Sequence, residues 1–478
     1  MSDSASQAPV RIALVGHTNT GKTSLMRTLT RDGGFGEVSS RPSTTRHVEG
    51  ARLLADGVPM VELYDTPGME DASALFDELE TLETDARGAR LDGPARIERF
   101  LGLEQAHRRF EQEAKVLRQM LASDAALYVV DARDPVLAKH RDELAILAMC
   151  ARPLLPVLNF VGSPVADEAA WRAALARLGL HAVVRFDTVA PERDGEALLY
   201  AKLATLLDAR RAHFDRLAAS RAREAGARRA AALLRVAELL VDVAAARVSV
   251  ERASAVAVDT AVGALNQAVR AREQGCVDAL LALYRFSGTA LEEAGLPLAE
   301  GRWEEDLFHP ETLRLAGVRV GGGVAAGAAA GFGVDLLVGG LTLGTATAVG
   351  ALAGGGVQAL RQFGGRIADR LGGRRTLTVA DAVVALLAVR GLCLVAALER
   401  RGHAAMTPIR RFGDALDGEA GEGIRMELED ARAHPEWSAL DGRVEANGER
   451  RVLVERVAGR LEEALAGIDG SLEPSSGG

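Results

Sequence analysis

Val10-Arg-Ile-Ala-Leu-Val-Gly16-His-Thr18-Asn19-Thr20-Gly21-Lys22-Thr23-Ser24-Leu25 decides how the first part of this chain folds. Its first six residues are mostly branched and apolar, as a strand buried in a parallel sheet reads. A G-x-x-x-x-G-K-T loop follows, and then a helical pattern. Strand, glycine loop and helix in this order form the phosphate-loop context. The glycines let backbone N–H groups turn inward onto phosphate oxygens. Lys22 supplies a point charge, and the Thr23 hydroxyl is a ligand for Mg²⁺. Gly16, Thr18, Asn19, Thr20, Gly21, Lys22, Thr23 and Ser24 are therefore candidate nucleotide contacts.

Two later stretches fit the same machine. Pro42-Ser43-Thr44-Thr45-Arg46 follows the first helix and a glycine-rich loop. Val61-Glu-Leu-Tyr-Asp65-Thr66-Pro67-Gly68 is a strand that ends in D-T-P-G. In this order, after a phosphate loop with Asn19, these motifs resemble the Era and TrmE branch of the translation-factor-related GTPases. The resemblance covers roughly residues 10 to 190. It implies GTP and GDP as ligands and Mg²⁺ as cofactor, held by Thr23, Thr45 and Asp65. Thr44 is the alternative to Thr45. It also implies that the Gly68 N–H meets the γ-phosphate and that Asn19 helps hold K⁺. Lys22, Asn19, Thr45 and Gly68 then form the catalytic set. The remainder resembles, in layout, bacterial proteins that join such a GTPase to a C-terminal domain of unknown function.

The chain departs from the branch at two places. Met69 stands where many small GTPases carry a water-positioning Gln, and a thioether orients water poorly; slow hydrolysis is expected. The guanine motif N-K-x-D is represented by Asn159-Phe160-Val161-Gly162. Asn159 is kept, but Gly162 replaces the Asp that would accept the guanine N1 and N2 hydrogens. Weaker base selection is expected. Asp167 or Asp187 is available as a substitute, and the sequence does not choose between them.

Composition sets the wider frame. The 478 residues have room for two or three domains. The apolar fraction is 48 % but aromatics are only 4 %, which favours helices packed through small residues. The net charge of −9 speaks against nucleic acid as a partner. Cys150, Cys276 and Cys393 are far apart and read as reduced cytosolic thiols without a metal. Met1 to Pro9 is polar and lacks a signal core, so a cytoplasmic protein is expected, with a disordered N-terminus over 1–9.

The fold class expected is α/β for residues 10–210, a doubly wound and mostly parallel sheet, followed by a mainly α-helical region. An Asp56-Gly57 turn signals a hairpin. Residues 69–123 read as a helical insertion in which Phe100, Leu103, His107, Phe110, Ala114, Leu117 and Leu121 share one helix face. Residues 211–310, without proline until Pro297, read as long antiparallel helices. Residues 311–373 are rich in Gly and Ala; Gly323, Gly327 and Gly331 repeat every four residues, as in a close-packed helical hairpin. Leu336 to Leu360 is uncharged and long enough to span a bilayer, although Asp335 opposes insertion. Val379 to Arg400 reads as one helix whose mostly uncharged stretch is broken by Arg390, which favours a core helix over a membrane span. Residues 374–470 are helical, with a disordered tail at 471–478.

The function that follows is a slow GTP-hydrolysing switch whose helical region engages the membrane or a membrane protein at the cytoplasmic face of the inner membrane. A ribosome- or RNA-associated GTPase and a non-hydrolysing nucleotide-gated scaffold are the alternatives. Oligomeric state is not legible.

Overall fold

Six strands of the N-terminal region assemble because their inward residues are almost all apolar. They are β1 (Val10–Val15), β2 (Glu49–Ala55), β3 (Val58–Asp65), β4 (Ala125–Asp131), β5 (Leu154–Asn159) and β6 (Val184–Arg185). Their spatial order is β2-β3-β1-β4-β5-β6. Every pairing is parallel except that of β2 with β3. That pair is joined at Asp56 and Gly57, whose φ angles of 51° and 80° are those of a type I′ hairpin turn. All seven residues of β4 are buried, as befits a strand with helices on both faces.

The computed structural model describes residues 8–31, 49–85, 87–188, 194–251, 255–286, 298, 301–303, 305–309, 311–312, 316, 334–337, 374–399, 409–416, 418–440 and 447–470. Thr44 and Thr45, both disordered-terminus expectations except for Ala8 and Pro9, and most of the Gly/Ala-rich segment lie outside these residues. The chain divides into two compact units at Ala225/Gly226, beyond Arg210. The division lies inside one helix, α8 (Arg211–Ala245), so composition gives no break there.

Between β3 and β4 lie α2 (Ala72–Glu80), α3 (Gly93–Leu101) and α4 (Glu111–Ala122). The single amphipathic helix expected across Leu103 and His107 is not formed. Instead α3 stops at Leu101, and a 3₁₀ turn occupies Glu104–His107 with His107 exposed. The apolar spacing still serves burial: Phe100, Phe110, Ala114 and Leu117 enter one cluster with Ala13, Val15, Ala126 and Tyr128 of the sheet. On the other face, α1 (Lys22–Thr30) and α7 (Gly195–Leu206) pack on Ile12, Leu14, Leu127 and Val157. The remaining helices of this unit are α5 (Ala138–Met149) and α6 (Glu168–Ala176).

In the second unit, α8 and α9 (Ala255–Leu283) run antiparallel. The pairings of Asp242 with Arg272, Arg235 with Cys276 and Arg228 with Tyr284 descend along one helix as they ascend the other. The helical expectation misses a three-stranded antiparallel sheet: β7 (Arg247–Glu251), β9 (Arg374–Val379) and β8 (Val334–Leu337), with β9 central. Val334–Leu337 is thus a strand and not part of a helical hairpin; β9 supplies its backbone partners. The helix α10 (Asp381–Glu399) is long and apolar enough to cross a membrane, yet Val383, Leu386, Leu394 and Leu398 are core residues. The helix runs unbroken through Arg390, which breaks only its uncharged run and is itself buried, with its guanidinium on Glu273 at 3.0 Å. The described helices end with α11 (Ile409–Leu416), α12 (Glu419–Ala433) and α13 (Gly448–Gly470).

Candidate nucleotide-binding site

The parallel sheet reverses its strand order at β1, which has β3 on one side and β4 on the other. In open α/β sheets, ligands bind off the carboxyl ends of strands at such a point. The loop from Gly16 to Gly21 lies there and leads directly into α1. Gly21 is the helix N-cap, with φ at 90°, and a Cβ on it would fall 2.2 Å from the Asn159 amide nitrogen. Both facts require glycine. The N-terminus of α1 presents backbone N–H groups and the positive end of the helix dipole to an anion.

Lys22 is only 7 % exposed, and its ammonium donates to the carbonyls of Gly16 at 3.1 Å and His17 at 2.7 Å. Burial pushes its pKa down, while the charges of Asp65 and Glu143 oppose that shift. Asp65 ends β3, in register with Leu14 of β1. Its Oδ2 accepts the Thr23 hydroxyl at 2.5 Å, whereas Oδ1 is buried with no hydrogen-bond partner among the described residues. Burial pushes the Asp65 carboxyl up, against the Thr23 hydrogen bond and the Lys22 charge.

A hydroxyl and a carboxylate placed together are hard oxygen donors, and the unpartnered Oδ1 adds an acceptor at the same spot. This set fits Mg²⁺. Thr23 and Asp65 would hold the ion, which when bound supplies positive charge to the phosphates.

The D-T-P-G segment packs directly on the phosphate loop. The Thr66 hydroxyl donates to the Leu14 carbonyl at 2.6 Å. A Cβ at Gly68 would lie 2.3 Å from Thr18 Oγ1 and 2.6 Å from Thr18 N. Only glycine allows that approach. From the far side of the sheet, Asn159 at the end of β5 clamps the loop: its amide donates to the Thr20 carbonyl at 3.0 Å. Its oxygen accepts Phe160 N–H, Thr188 N–H and the Thr188 hydroxyl at 2.9 to 3.0 Å.

The structure thus brings together Gly16, Thr18, Thr20, Gly21, Lys22, Thr23, Asp65, Gly68 and Asn159. Asn19 is exposed in the loop at a left-handed φ of 66°, and Ser24 is half-buried in the first turn of α1. Met69 is fully buried in the apolar cluster with Ala72 and Leu75, so it belongs to the core.

Sequence reasoning missed a polar chain behind the loop. His17 Nδ1 is 2.7 Å from Glu143 Oε1, the Tyr128 hydroxyl donates to Glu143 Oε2 at 2.8 Å, and Lys139 Nζ is 2.8 Å from His17 Nε2. Glu143 is fully buried. It also missed Glu113 of α4, whose carboxylate accepts the N–H groups of Glu70 and Asp71 immediately after the D-T-P-G segment. Neither carboxylate carries a local motif. Position 160 carries Phe160 at a left-handed φ of 57°, with the Arg133 guanidinium 3.9 Å from its ring centroid.

Residues 11–160 match the family model described as 50S ribosome-binding GTPase, and residues 172–459 match the domain of unknown function DUF3482. A search of curated proteins finds no match. Among solved structures, Era of Aquifex aeolicus bound to GDP and AlF4⁻ is similar at 14 % identity and a TM-score of 0.29, over 41 % of this chain and 57 % of Era. The S. thermophilus NFeoB bound to GDP and AlF4⁻ is similar at 20 % identity and a TM-score of 0.28, over 41 % of this chain and 64 % of that one. The G domain of the T. maritima FeoB iron transporter is similar at 21 % identity and a TM-score of 0.26, over 42 % of this chain and 99 % of that domain. This chain therefore spans less than two thirds of the length of the Era and NFeoB chains it resembles. With more than half of its length matched by one model, the chain belongs to the DUF3482 family, and it carries that domain behind a P-loop GTPase domain.

Proposed function

We propose that the protein is a slow, Mg²⁺-dependent GTPase that acts as a nucleotide-controlled switch, with its C-terminal unit binding a membrane or membrane-protein partner at the cytoplasmic face of the inner membrane. The observation that carries the catalytic part is the meeting of Lys22, Thr23 and Asp65 at the N-terminus of α1, with one Asp65 oxygen buried and unpartnered. Phosphoryl transfer needs positioning and charge stabilisation more than covalent chemistry. Lys22 and the loop N–H groups neutralise phosphate oxygens. Gly68, seated on Thr18, offers a backbone N–H beside the same oxygens. Slow turnover follows from the burial of Met69, which leaves that position without a side chain able to orient water. Asn19 supplies a short neutral oxygen donor suited to K⁺; a monovalent charge beside the phosphates would act where an arginine finger otherwise does. The partner is proposed from the uncharged stretch after Leu337.

One experiment tests the catalytic reading. GTP turnover and binding are measured with the wild type, Lys22→Ala and Asn19→Ala in K⁺ and in Na⁺ at equal ionic strength. The expected result is turnover faster in K⁺, a cation difference lost in Asn19→Ala with affinity retained, and no triphosphate binding by Lys22→Ala. Equal affinity in wild type and Lys22→Ala would overturn the phosphate-loop reading, and equal rates in the two salts would remove Asn19 from the mechanism.

A further inference from the structure

The phosphate end of the site is set by Lys22 and Thr23 at the start of α1 and Asp65 at the end of β3. The nucleoside must therefore extend the other way along the carboxyl edge of the sheet, toward the ends of β5 and β6. A purine is read there by the pattern of its edge. Guanine presents two adjacent donors, N1–H and the N2 amino group, whereas adenine presents an acceptor at N1. A carboxylate accepts two such donors together and is repelled by the adenine acceptor. The chain has no acid at position 162.

It has one in the same place from another strand. Asp187, two residues beyond β6, is 5 % exposed, and its Oδ2 accepts the Gly162 N–H at 2.9 Å. A Cβ built on Gly162 would lie 3.3 Å from that same oxygen. The Asp187 carboxylate thus occupies the space into which a side chain at 162 would project. Its position is well fixed. The Phe186 N–H donates to the Leu158 carbonyl at 3.0 Å, and Thr188 donates twice to Asn159, which in turn holds Thr20 of the phosphate loop. The rival, Asp167, is exposed and caps α6, accepting the Ala170 N–H at 2.9 Å.

We infer that Asp187 is the base-reading carboxylate of this protein, accepting the guanine N1 and N2 hydrogens in place of a side chain at position 162. This rests on the nucleotide-binding reading above, and it replaces the expectation of weak base selection with selection by a relocated acid.

The test is binding of GDP, ADP and xanthosine diphosphate to the full chain with Mg²⁺. The wild type is expected to prefer GDP. Loss of hydrogen bonds to a charged acceptor should weaken GDP by about 10- to 100-fold in Asp187→Ala, with ADP unchanged. Asp187→Asn, similar in shape, should shift preference toward xanthosine diphosphate, because an amide N–H can donate to its C2 carbonyl. Asp187→Ala combined with Gly162→Asp should regain GDP preference, because the vacated space receives the new carboxylate. A GDP-to-ADP ratio unchanged in both single variants would overturn the assignment while leaving the phosphate-loop reading intact, and so would failure of the double variant to recover. Retained ADP affinity shows that the variants fold. Absence of any nucleotide binding by the wild type would instead overturn the underlying reading.

Discussion

In the first unit, the buried carboxylate of Asp65 has one oxygen on the Thr23 hydroxyl and the other without a partner among the described residues. In the second, the fully buried carboxylate of Asp242 accepts Arg272 at 2.8 Å, Arg450 at 2.7 Å and the Ala439 N–H at 3.2 Å. Both sit where an isolated charge would be costly. Asp242 is surrounded by partners from α9, α13 and the turn after Trp437, so its charge is consumed in joining elements. The Asp65 charge is left pointing at a loop that is built to receive an anion and a cation. A buried charge that its own fold has satisfied is architecture, and one that its fold has half satisfied marks a site.

The largest effect should separate these two kinds of carboxylate. Asp242→Ala leaves two guanidinium groups beside a buried position without their acceptor, and a loss of about 3–5 kcal/mol is expected. Hydrogen exchange in α9 and α13 of the full chain would show it; protection within ~1 kcal/mol of wild type would mean that Asp242 is not a structural hub.

A somewhat smaller effect is expected at Arg390 and Glu273. Burial pushes the Glu273 carboxyl up, and Arg390 opposes that shift. Arg390→Met should cost about 3 kcal/mol by stranding Glu273, and adding Glu273→Leu should restore most of it, since a well-packed apolar pair often matches a buried ion pair. A double variant no more stable than the single one would show that the pair contributes through geometry that apolar packing cannot reproduce. The Arg390 guanidinium also lies 4.9 Å from the Trp303 ring centroid and donates to the Glu305 carbonyl, which is where such geometry would reside.

The smallest stability effect should come from the site itself. Because its folded pKa is raised, Asp65 contributes stability in its protonated form below the unfolded carboxylate value, and that contribution is lost as pH rises through the folded pKa. Without nucleotide, Asp65→Asn should therefore melt within ~1 kcal/mol of wild type at pH 8, or slightly above it, while losing Mg²⁺-dependent triphosphate binding. Thermal melts from pH 4 to 8 would check the sign. A strongly destabilised variant at pH 8 would place Asp65 with Asp242 among the structural carboxylates.

The comparison also explains what was legible in the sequence. The phosphate loop and D-T-P-G could be read because close backbone approach and phosphate binding demand particular residue types at fixed local spacing. Gly21 and Gly68 are examples in which one extra carbon would collide. The break at Leu103 was hidden because apolar residues continue at helical spacing straight through the 3₁₀ turn. The second sheet was hidden for another reason. Arg247–Glu251 and Arg374–Val379 are short and charged, and the third strand, Val334–Leu337, is embedded in a glycine-rich segment whose four-residue period points to helices. Asp187 could be named only as one of two candidates, because it meets Gly162 across 25 residues of sequence through the pairing of β5 with β6. Satisfied charges such as Asp242 leave no local trace at all.

The Asn159 clamp has a consequence for how the site comes into being on the ribosome. It joins Thr20 to a side chain 139 residues later, which is held in turn by Thr188, another 29 residues on. Such ties are slow to form, because long stretches of chain must be closed before they give any return. During synthesis, the glycine loop emerges early but lacks its clamp until the end of the sheet has been made. At ordinary elongation rates, that interval is roughly ten to thirty seconds. For that time the nascent chain carries a phosphate loop without its Asn159 clamp, and firm capture of nucleotide is expected only once the first unit closes.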